Sequence, residues 1–141
     1  MKRDDLNSVT LYLLDTNVLS DVIKNPSGKI ADRMKSMPSA SLITSVVVGC
    51  ELNFGAEKKG SKALRERVTA LLKTIPVLPI GGDEFCQLYA KTRAEMEKRG
   101  TIISAHDLLI ACQSLLLNAI LVTQNVREFS RVPGLKIQSW S

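Results

Sequence analysis

Short apolar runs alternate with longer amphipathic segments along nearly the whole of this 141-residue chain. Five of the apolar runs have the length of buried strands: residues 11–14, 41–44, 77–80, 119–123 and 135–138. The segments between them repeat their apolar residues at helical spacing, which predicts helices near residues 18–23, 30–37, 45–58, 64–72, 83–98, 104–118 and 127–129. This alternation predicts one α/β domain with a mostly parallel central sheet flanked by helices. Pro79 favours an edge position for the third strand, because proline cannot donate a hydrogen bond to a neighbouring strand.

Composition is that of an ordinary folded protein, with 45% apolar and 23% charged residues. No apolar run approaches the roughly eighteen residues of a membrane span. Residues 1–10 lack the apolar stretch of a signal peptide and are predicted to form a loose arm, followed by the domain at residues 11–141. The cysteines, Cys50, Cys86 and Cys112, are far apart among apolar neighbours, so we expect reduced thiols in the core of a cytoplasmic protein.

The formal net charge of +5 suits a polyanionic partner, although solubility alone would also explain it. Five cations crowd one segment: Lys58, Lys59, Lys62, Arg65 and Arg67. This basic segment is the candidate surface for holding the phosphates of a nucleic acid.

Asp15 follows the first apolar run and opens the first predicted helix. A carboxylate in this place lies at the edge where open α/β sheets bind their ligands. The same residue would also serve as an ordinary helix cap, accepting a hydrogen bond from a backbone N–H two or three residues further along. This segment alone leaves both interpretations open.

Three more polar residues lie just after a predicted strand or early in the helix that follows one. Glu51 interrupts an apolar helix start, Asp107 forms a capping box with Ser104, and Asn125 follows the fourth strand. Each alone has a structural interpretation: Glu51 as an acid on the solvent-exposed face of a helix, Asp107 as part of a helix cap, and Asn125 as a turn or cap residue. Because the carboxyl ends of parallel strands share one edge, these three side chains and Asp15 are predicted to converge.

Convergent carboxylates predict a bound cation. Two carboxylates ~4 Å apart repel by about 4 kcal/mol at an effective dielectric constant of about 20. A hard divalent cation removes that repulsion, and oxygen ligands favour Mg²⁺ or Mn²⁺ over zinc. Such an ion binds phosphate and activates water, so an acidic metal pocket in a basic chain predicts phosphodiester hydrolysis.

The segments that carry these residues resemble a known family. They read Leu-Leu-Asp15-Thr-Asn, then Ser45-Val-Val-Val-Gly-Cys-Glu51-Leu-Asn-Phe, then Ile103-Ser-Ala-His-Asp107-Leu-Leu, and then Leu121-Val-Thr-Gln-Asn125-Val-Arg-Glu-Phe. From residue 11 to residue 140, the chain resembles a PIN-domain ribonuclease of the VapC type, the toxin of a bacterial toxin–antitoxin pair.

The resemblance implies a Mg²⁺- or Mn²⁺-dependent endoribonuclease in which Asp15, Glu51 and Asp107 form the catalytic acidic triad and bind the metal. Asn125 stands where many relatives carry a fourth acid and is predicted as a further, uncharged metal ligand. The implied substrate is RNA, with tRNA as one candidate, and the implied products carry 5′-phosphate and 3′-hydroxyl ends.

The resemblance also implies a homodimer and an antitoxin encoded beside the toxin, with no membrane partner. Exposed apolar surfaces of the first four helices are the candidates for both contacts, in particular Met34, Met37 and Phe54.

Several neighbouring residues have simpler interpretations. Thr16 and Thr123 are either hydroxyl contacts near the site or structural caps. His106, the only histidine, is predicted to start a helix outside the site, because a metal that activates water makes a histidine base unnecessary. Glu128 is predicted on the surface of a short helix, and Trp140 is predicted to be a packing anchor.

Two alternatives from other classes remain open. A receiver-like signalling domain is also α/β with acids at strand ends, but it requires paired acids after the first strand, where this chain has Asp15 alone. A nucleic-acid-binding module without catalysis explains the basic charge but gives no reason for Glu51.

Overall fold

The computed structural model describes residues 9–141, so most of the arm predicted at residues 1–10 lies outside the described residues. Its five strands are β1 (Tyr12–Leu14), β2 (Leu42–Ser45), β3 (Val77–Leu78), β4 (Ile120–Val122) and β5 (Lys136–Gln138). The helices of this part of the chain are α1 (Thr16–Lys24), α2 (Lys29–Ser36), α3 (Val46–Lys59), α4 (Lys62–Thr74), α5 (Asp83–Arg99), α6 (Ala105–Leu116) and α7 (Val126–Phe129), with a 3₁₀ turn at Ser39–Ser41. The predicted alternation of strands and helices is confirmed.

The strands form one parallel sheet in the order β3-β2-β1-β4-β5. Tyr12 of β1 lies opposite Leu42 of β2 and Ile120 of β4, so β1 is the central strand. The predicted parallel α/β fold is therefore confirmed. The order differs from the 2-1-3-4-5 order of receiver domains, which counts against that alternative.

The third strand lies at an edge of the sheet, as Pro79 indicated. Gln113 of α6 holds this edge, because its side-chain Nε2 donates to the carbonyl oxygens of Leu78 at 3.1 Å and Pro79 at 3.2 Å. Pro79 has no N–H to donate to a further strand, so the backbone at this edge is contacted by the side chain of Gln113 instead.

The direction of winding reverses at the central strand. From β1 the chain runs outward through β2 to β3, then crosses to the other side of β1 to form β4 and β5. A crevice is expected beyond the carboxyl ends of the two strands at such a reversal. Asp15 follows β1 and Asn125 closely follows β4, so both residues lie at this crevice.

Local signals at the helix ends explain where several helices begin and stop. The hydroxyl oxygens of Ser45, Ser61 and Ser104 accept hydrogen bonds from backbone N–H groups two or three residues later, and so cap α3, α4 and α6. Gly60 and Gly100 end α3 and α5 with φ values of 64° and 68°, a left-handed conformation that side chains with a Cβ disfavour.

The two central strands supply the middle of the core. Leu13 and Leu14 of β1 and Leu121 and Val122 of β4 are fully buried. Burying a side chain of this size stabilises the fold by roughly 1.5–3 kcal/mol. Phe129, also fully buried, ties the short helix α7 to the same core and so fixes the segment that carries Asn125.

The expected packing role of Trp140 is confirmed. Its ring is buried, lies 5.6 Å from the ring of Tyr12 between centroids, and is covered by the Arg33 guanidinium at 5.3 Å. These contacts hold the end of the chain against α2 and the central strand.

Two expectations about burial were wrong. Cys112 is buried as predicted, but Cys50 and Cys86 are exposed. Cys50 is exposed because it shares the outer face of α3 with Val46 and Phe54 at four-residue spacing. The side chains of Met34 and Met37, proposed for partner contacts, are half-buried and pack against the core.

Within the described part of the chain, no helix has the length and apolar character needed to cross a membrane.

Candidate active site

Asp15 is the most buried carboxylate at the carboxyl edge of the sheet, with 3% of its surface exposed. Its Oδ1 accepts a hydrogen bond from the backbone N–H of Thr16 at 2.8 Å, and its Oδ2 accepts one from the Thr123 hydroxyl at 2.7 Å. Its own N–H donates to the carbonyl oxygen of Val122 at 3.0 Å. Asp15 does cap α1, but through the next residue rather than through an N–H two or three residues on.

Thr16 connects Asp15 to Glu51. Its hydroxyl donates to Oε1 of Glu51 at 3.1 Å, while its backbone N–H contacts Asp15. Glu51 reaches this point because α3 starts directly after β2 and places its second turn near the sheet edge. Glu51 is half-buried and faces the crevice, so the interpretation as an acid on a solvent-exposed helix face is not sufficient for it.

Thr123 performs the corresponding task on the other side of Asp15. Its hydroxyl donates to Asp15 and accepts a hydrogen bond from the backbone N–H of Asn125 at 3.0 Å. Both threonines, whose roles the sequence left open, therefore contact candidate site residues directly.

Asp107 lies in the first turn of α6, where the predicted cap is present. The Ser104 hydroxyl oxygen accepts a hydrogen bond from the Asp107 N–H at 3.2 Å. The cap is made by the serine side chain, so the Asp107 carboxylate is available to face the crevice. Helices α3 and α6 contact each other, which brings Glu51 and Asp107 to the same region.

One cavity of about 480 Å³ joins all four residues predicted from the sequence, Asp15, Glu51, Asp107 and Asn125. Its remaining wall is formed by Thr16, Asn17, Ser20, Asp21, Lys24 and Gln124. Sequence reasoning missed Asp21 and Lys24. The polar spacing along α1, at positions 17, 20, 21 and 24, places these side chains on one helix face, but an ordinary solvent-exposed face has the same spacing. We call this space the acidic cavity.

Burial and mutual repulsion disfavour the charged forms of these acids. Burial, opposed in part by the Thr123 and Thr16 hydrogen bonds and reinforced by Asp107 and Glu51, raises the pKa of Asp15 to about 6. Burial also raises the pKa of Asp107, and the charges of Glu128 and Glu51 add to that rise. Two perturbed carboxyl groups in one crevice are a common feature of functional sites.

The donor set fits a hard divalent cation. It consists of carboxylate and amide oxygens, and each carboxylate oxygen that accepts a threonine hydrogen bond retains a second lone pair. Within residues 9–141, no three His, Cys, Asp or Glu side chains already stand as close as a preformed metal cluster requires. Asp15, Glu51 and Asp107 are the residues that would hold a Mg²⁺ or Mn²⁺ ion, with Asn125 beside them.

Other candidates lie at the margin or elsewhere. His106 is exposed at the start of α6 and does not line the acidic cavity. Glu128 is on exposed α7, as predicted, yet its charge acts on Asp107 and places it closer to the site than its helix position suggested. The basic segment contributes nothing to this wall: Arg65 pairs with Glu57 at 3.9 Å, and Lys24 is the lysine that lines the cavity.

Comparison with known proteins agrees with this fold. The family model "PIN domain" matches residues 12–135. Ribonuclease VapC1 of Haemophilus influenzae strain R2866 is 36% identical over 135 residues, which are 93% of this chain and 98% of that protein. The tRNA(fMet)-specific endonuclease VapC of Salmonella typhimurium is 31% identical over 131 residues, covering 92% and 97%. The crystal structure of VapBC2 from Rickettsia felis, bound to a DNA fragment from its promoter, superposes with a TM-score of 0.84 at 28% identity, covering 94% and 100%.

The parallel sheet, with acidic side chains near the point where its strand order reverses, is thus that of a nuclease fold. The chain belongs to the PIN-domain family and, within it, to the VapC-type toxins of toxin–antitoxin systems. This membership excludes the receiver-like alternative.

Proposed function

We propose that the chain is a metal-dependent endoribonuclease that hydrolyses RNA phosphodiester bonds. The observation that carries the proposal is the acidic cavity, in which Asp15 is buried at the sheet edge with Glu51 and Asp107 on the same wall. Burying an acid beside two others destabilises its charged form, and a site of this kind needs a cation to compensate. The match to ribonucleases of the VapC type along 93% of the chain supports the reaction class.

Each side chain has a defined task in this proposal. The two threonines fix Asp15, since Thr16 and Thr123 donate to its two oxygens, and Thr16 also orients Glu51. A bound Mg²⁺ or Mn²⁺ would neutralise the acids, bind a phosphate oxygen and supply a water of lowered pKa. The oxygen of a water molecule would bond to phosphorus as it loses a proton, and the bond from phosphorus to the 3′ oxygen would break. The 3′ oxygen would take up a proton, which leaves 5′-phosphate and 3′-hydroxyl ends.

Single amide substitutions test this assignment. Asp15→Asn, Glu51→Gln and Asp107→Asn keep side-chain size but remove a charge, and loss of such a contact costs on the order of 10² or more in rate. Because the three acids act as one unit, each single variant should be about as inactive as the triple variant. An exposed acid on α2, Asp32, provides the matched control, and Asp32→Asn should cleave RNA like the wild type. Full activity of any one site variant would remove that acid from the proposed site.

Transfer RNA is the substrate we propose to test first, because a relative is named a tRNA(fMet)-specific endonuclease. Sequencing of 5′ ends after brief expression of the wild type and of Asp15→Asn would identify the sites cut by the active protein. Cleavage confined to messenger or ribosomal RNA would redirect the proposal to those substrates.

We also propose a cognate antitoxin as the protein partner, because solved relatives are VapBC complexes. A groove of about 190 Å³ adjoins the acidic cavity and shares four residues with it: Thr16, Ser20, Lys24 and Glu51. Its other side is apolar, with Ile23, Leu52, Ala56, Leu64 and Val68. A polypeptide that fills this groove would lie across the mouth of the site, so purified antitoxin should block RNA cleavage.

The homodimer stays a proposal of the same kind. Phe54, with 66% of its surface exposed, and Val46 project from the outer face of α3 and form its candidate contact. Sedimentation at micromolar concentration should give a dimer for the wild type and a monomer for Phe54→Lys. A wild-type monomer would contradict it.

A further inference from the structure

A second cavity opens beside the acidic cavity. Its volume is about 630 Å³, and three residues, Asp21, Lys24 and Gln124, belong to the walls of both. The rest of its wall is formed by Asn25, Pro26, Ser27, Gly28, Lys29, Ile30 and Ser141. Because the cavities share one side, they form a continuous trough across the carboxyl edge of the sheet. Each cavity falls in the range of roughly 300–1,000 Å³ that is typical of small-ligand sites.

The balance of charged side chains changes along this trough. The acidic cavity has four carboxylates, Asp15, Asp21, Glu51 and Asp107, and one ammonium group, that of Lys24. In the second cavity only Asp21 remains of these acids, and Lys29 joins Lys24. A polyanionic strand gains nothing from the acids themselves, so its flanking phosphates are held best beyond them, where the carboxylates no longer outnumber the lysines.

Lys24 stands between the two cavities without a carboxylate partner. None of the ion pairs within 4.0 Å in residues 9–141 involves it. The nearest acid along α1, Asp21, instead accepts a hydrogen bond from the Asn25 side chain at 3.2 Å. The Lys24 ammonium group is therefore free to bind a phosphate at the junction.

Gln124 is the third residue that the two cavities share. Its backbone N–H donates to Oδ1 of Asn17 at 3.3 Å, which ties the segment after β4 to α1. Its exposed side chain lies on the shared wall and carries both donors and acceptors. Such an amide suits the 2′-hydroxyl or a base edge of RNA.

The other groove that adjoins the acidic cavity differs in chemistry. It has a smaller volume, about 190 Å³, and an apolar side formed by α1, α3 and α4. Lys24 and Lys59 also line this groove, but a charged strand would have to leave water to lie against its apolar side, whereas the second cavity places amides and a serine beside its lysines. Of the two exits from the acidic cavity, the second cavity is the one that suits RNA.

We propose that the second cavity is the subsite for the nucleotides that flank the cleaved bond on one side, with Lys24 and Lys29 binding their phosphates. This inference rests on the proposed ribonuclease function. It assigns substrate binding to the end of α1 and the start of α2 rather than to the basic segment at residues 58–67.

Binding in the absence of metal tests the subsite independently of cleavage. The probe is a fluorescein-labelled single-stranded RNA of about ten nucleotides, a length that single-strand-binding surfaces cover. Its dissociation constant is measured by anisotropy in EDTA across a range of KCl concentrations. The variant Lys24→Ala/Lys29→Ala should bind more weakly, with a salt slope smaller by about 0.7 for each phosphate that it no longer neutralises.

A matched control is Lys91→Ala/Lys98→Ala, which removes the same charge from exposed positions of α5 that line neither cavity. It should keep the wild-type slope, and Lys24→Arg/Lys29→Arg should restore most of the binding. Because all four lysines are exposed, both alanine variants should melt like the wild type. Equal slopes for the two alanine variants would overturn the subsite. If the wild type nevertheless cleaves RNA with Mg²⁺, the nuclease assignment is unaffected by that result.

Discussion

Asp15 makes the stability of the metal-free protein depend on pH. Its pKa in the fold is about 6, against an ordinary value of 3.8, because the side chain is buried beside Asp107 and Glu51. As pH rises from 3.8, the unfolded chain releases this proton first, and the folded chain retains it until about pH 6. The free energy of unfolding therefore falls across this window and levels off above it.

The size of the effect follows from the shift. About two pKa units correspond to about 3 kcal/mol, which is a large share of the roughly 5–15 kcal/mol that stabilises a typical domain. For a protein of this size such a change lowers the melting temperature by roughly 6–12 °C.

Asp15→Asn isolates this contribution. An asparagine can accept from the Thr16 N–H through its oxygen and donate to the Thr123 hydroxyl oxygen through its nitrogen. The Thr123 hydroxyl proton then loses Asp15 as its acceptor, a cost that does not depend on pH. In EDTA the free energy of unfolding of the variant, relative to that of the wild type, should rise by about 3 kcal/mol between about pH 4 and about pH 6.5. Urea denaturation across this range measures the difference, with the exposed Asp32→Asn as the control. A difference between wild type and Asp15→Asn that stays constant from about pH 4 to about pH 7 would refute the reasoning.

Three further predictions concern the partners of Asp15. Asp107→Asn should melt no lower than the wild type in EDTA, because the Ser104 cap uses the Asp107 backbone N–H and not its carboxylate. Mg²⁺ should raise the melting temperature of the wild type more than that of the variant. Equal shifts of the two melting temperatures in calorimetry would leave Asp107 a structural role alone. Thr123→Val leaves one oxygen of Asp15 and the Asn125 N–H without their partner, so urea denaturation should show a loss of about 1–3 kcal/mol that Thr123→Ser avoids. Asn125→Asp should retain cleavage and bind Mg²⁺ more tightly by calorimetric titration, whereas loss of activity would show that the amide itself is needed.

Most of the fold could be predicted from the sequence, because strand and helix periods are local. Five apolar runs separated by helical spacing specified a parallel sheet, and Pro79 correctly placed β3 at its edge. The ends of the strands were less accurate: the run at 119–123 is reduced to Ile120–Val122 in the sheet. At the start of this run the Ala119 N–H donates to the Ser114 carbonyl oxygen at the end of α6 rather than to a neighbouring strand, which apolar character alone does not indicate.

The candidate site was predictable in part for a topological reason. Asp15 and Asn125, which follow β1 and β4, and Glu51, in the helix after β2, had to meet because parallel strands share one carboxyl edge. Asp107 lies at the start of α6, which follows α5 rather than a strand, so this rule does not account for its position. Asp21 and Lys24 could not be distinguished from a solvated helix face, since only the position of α1 over the crevice brings them to the cavity. The partners of Thr16 and Thr123 likewise depend on side-chain directions that no spacing rule supplies. Cys50 was misplaced because apolar neighbours in sequence do not determine which side of α3 faces the core.

The most direct test of the central claim is cleavage of total RNA by purified wild-type protein with Mg²⁺, with EDTA, and with Mg²⁺ restored after EDTA. We expect cleavage with Mg²⁺, none with EDTA, recovery when Mg²⁺ is returned, and none under any condition for Asp15→Asn. Undiminished cleavage in EDTA, or full activity of Asp15→Asn, would contradict the assignment of a metal-dependent nuclease to the acidic cavity.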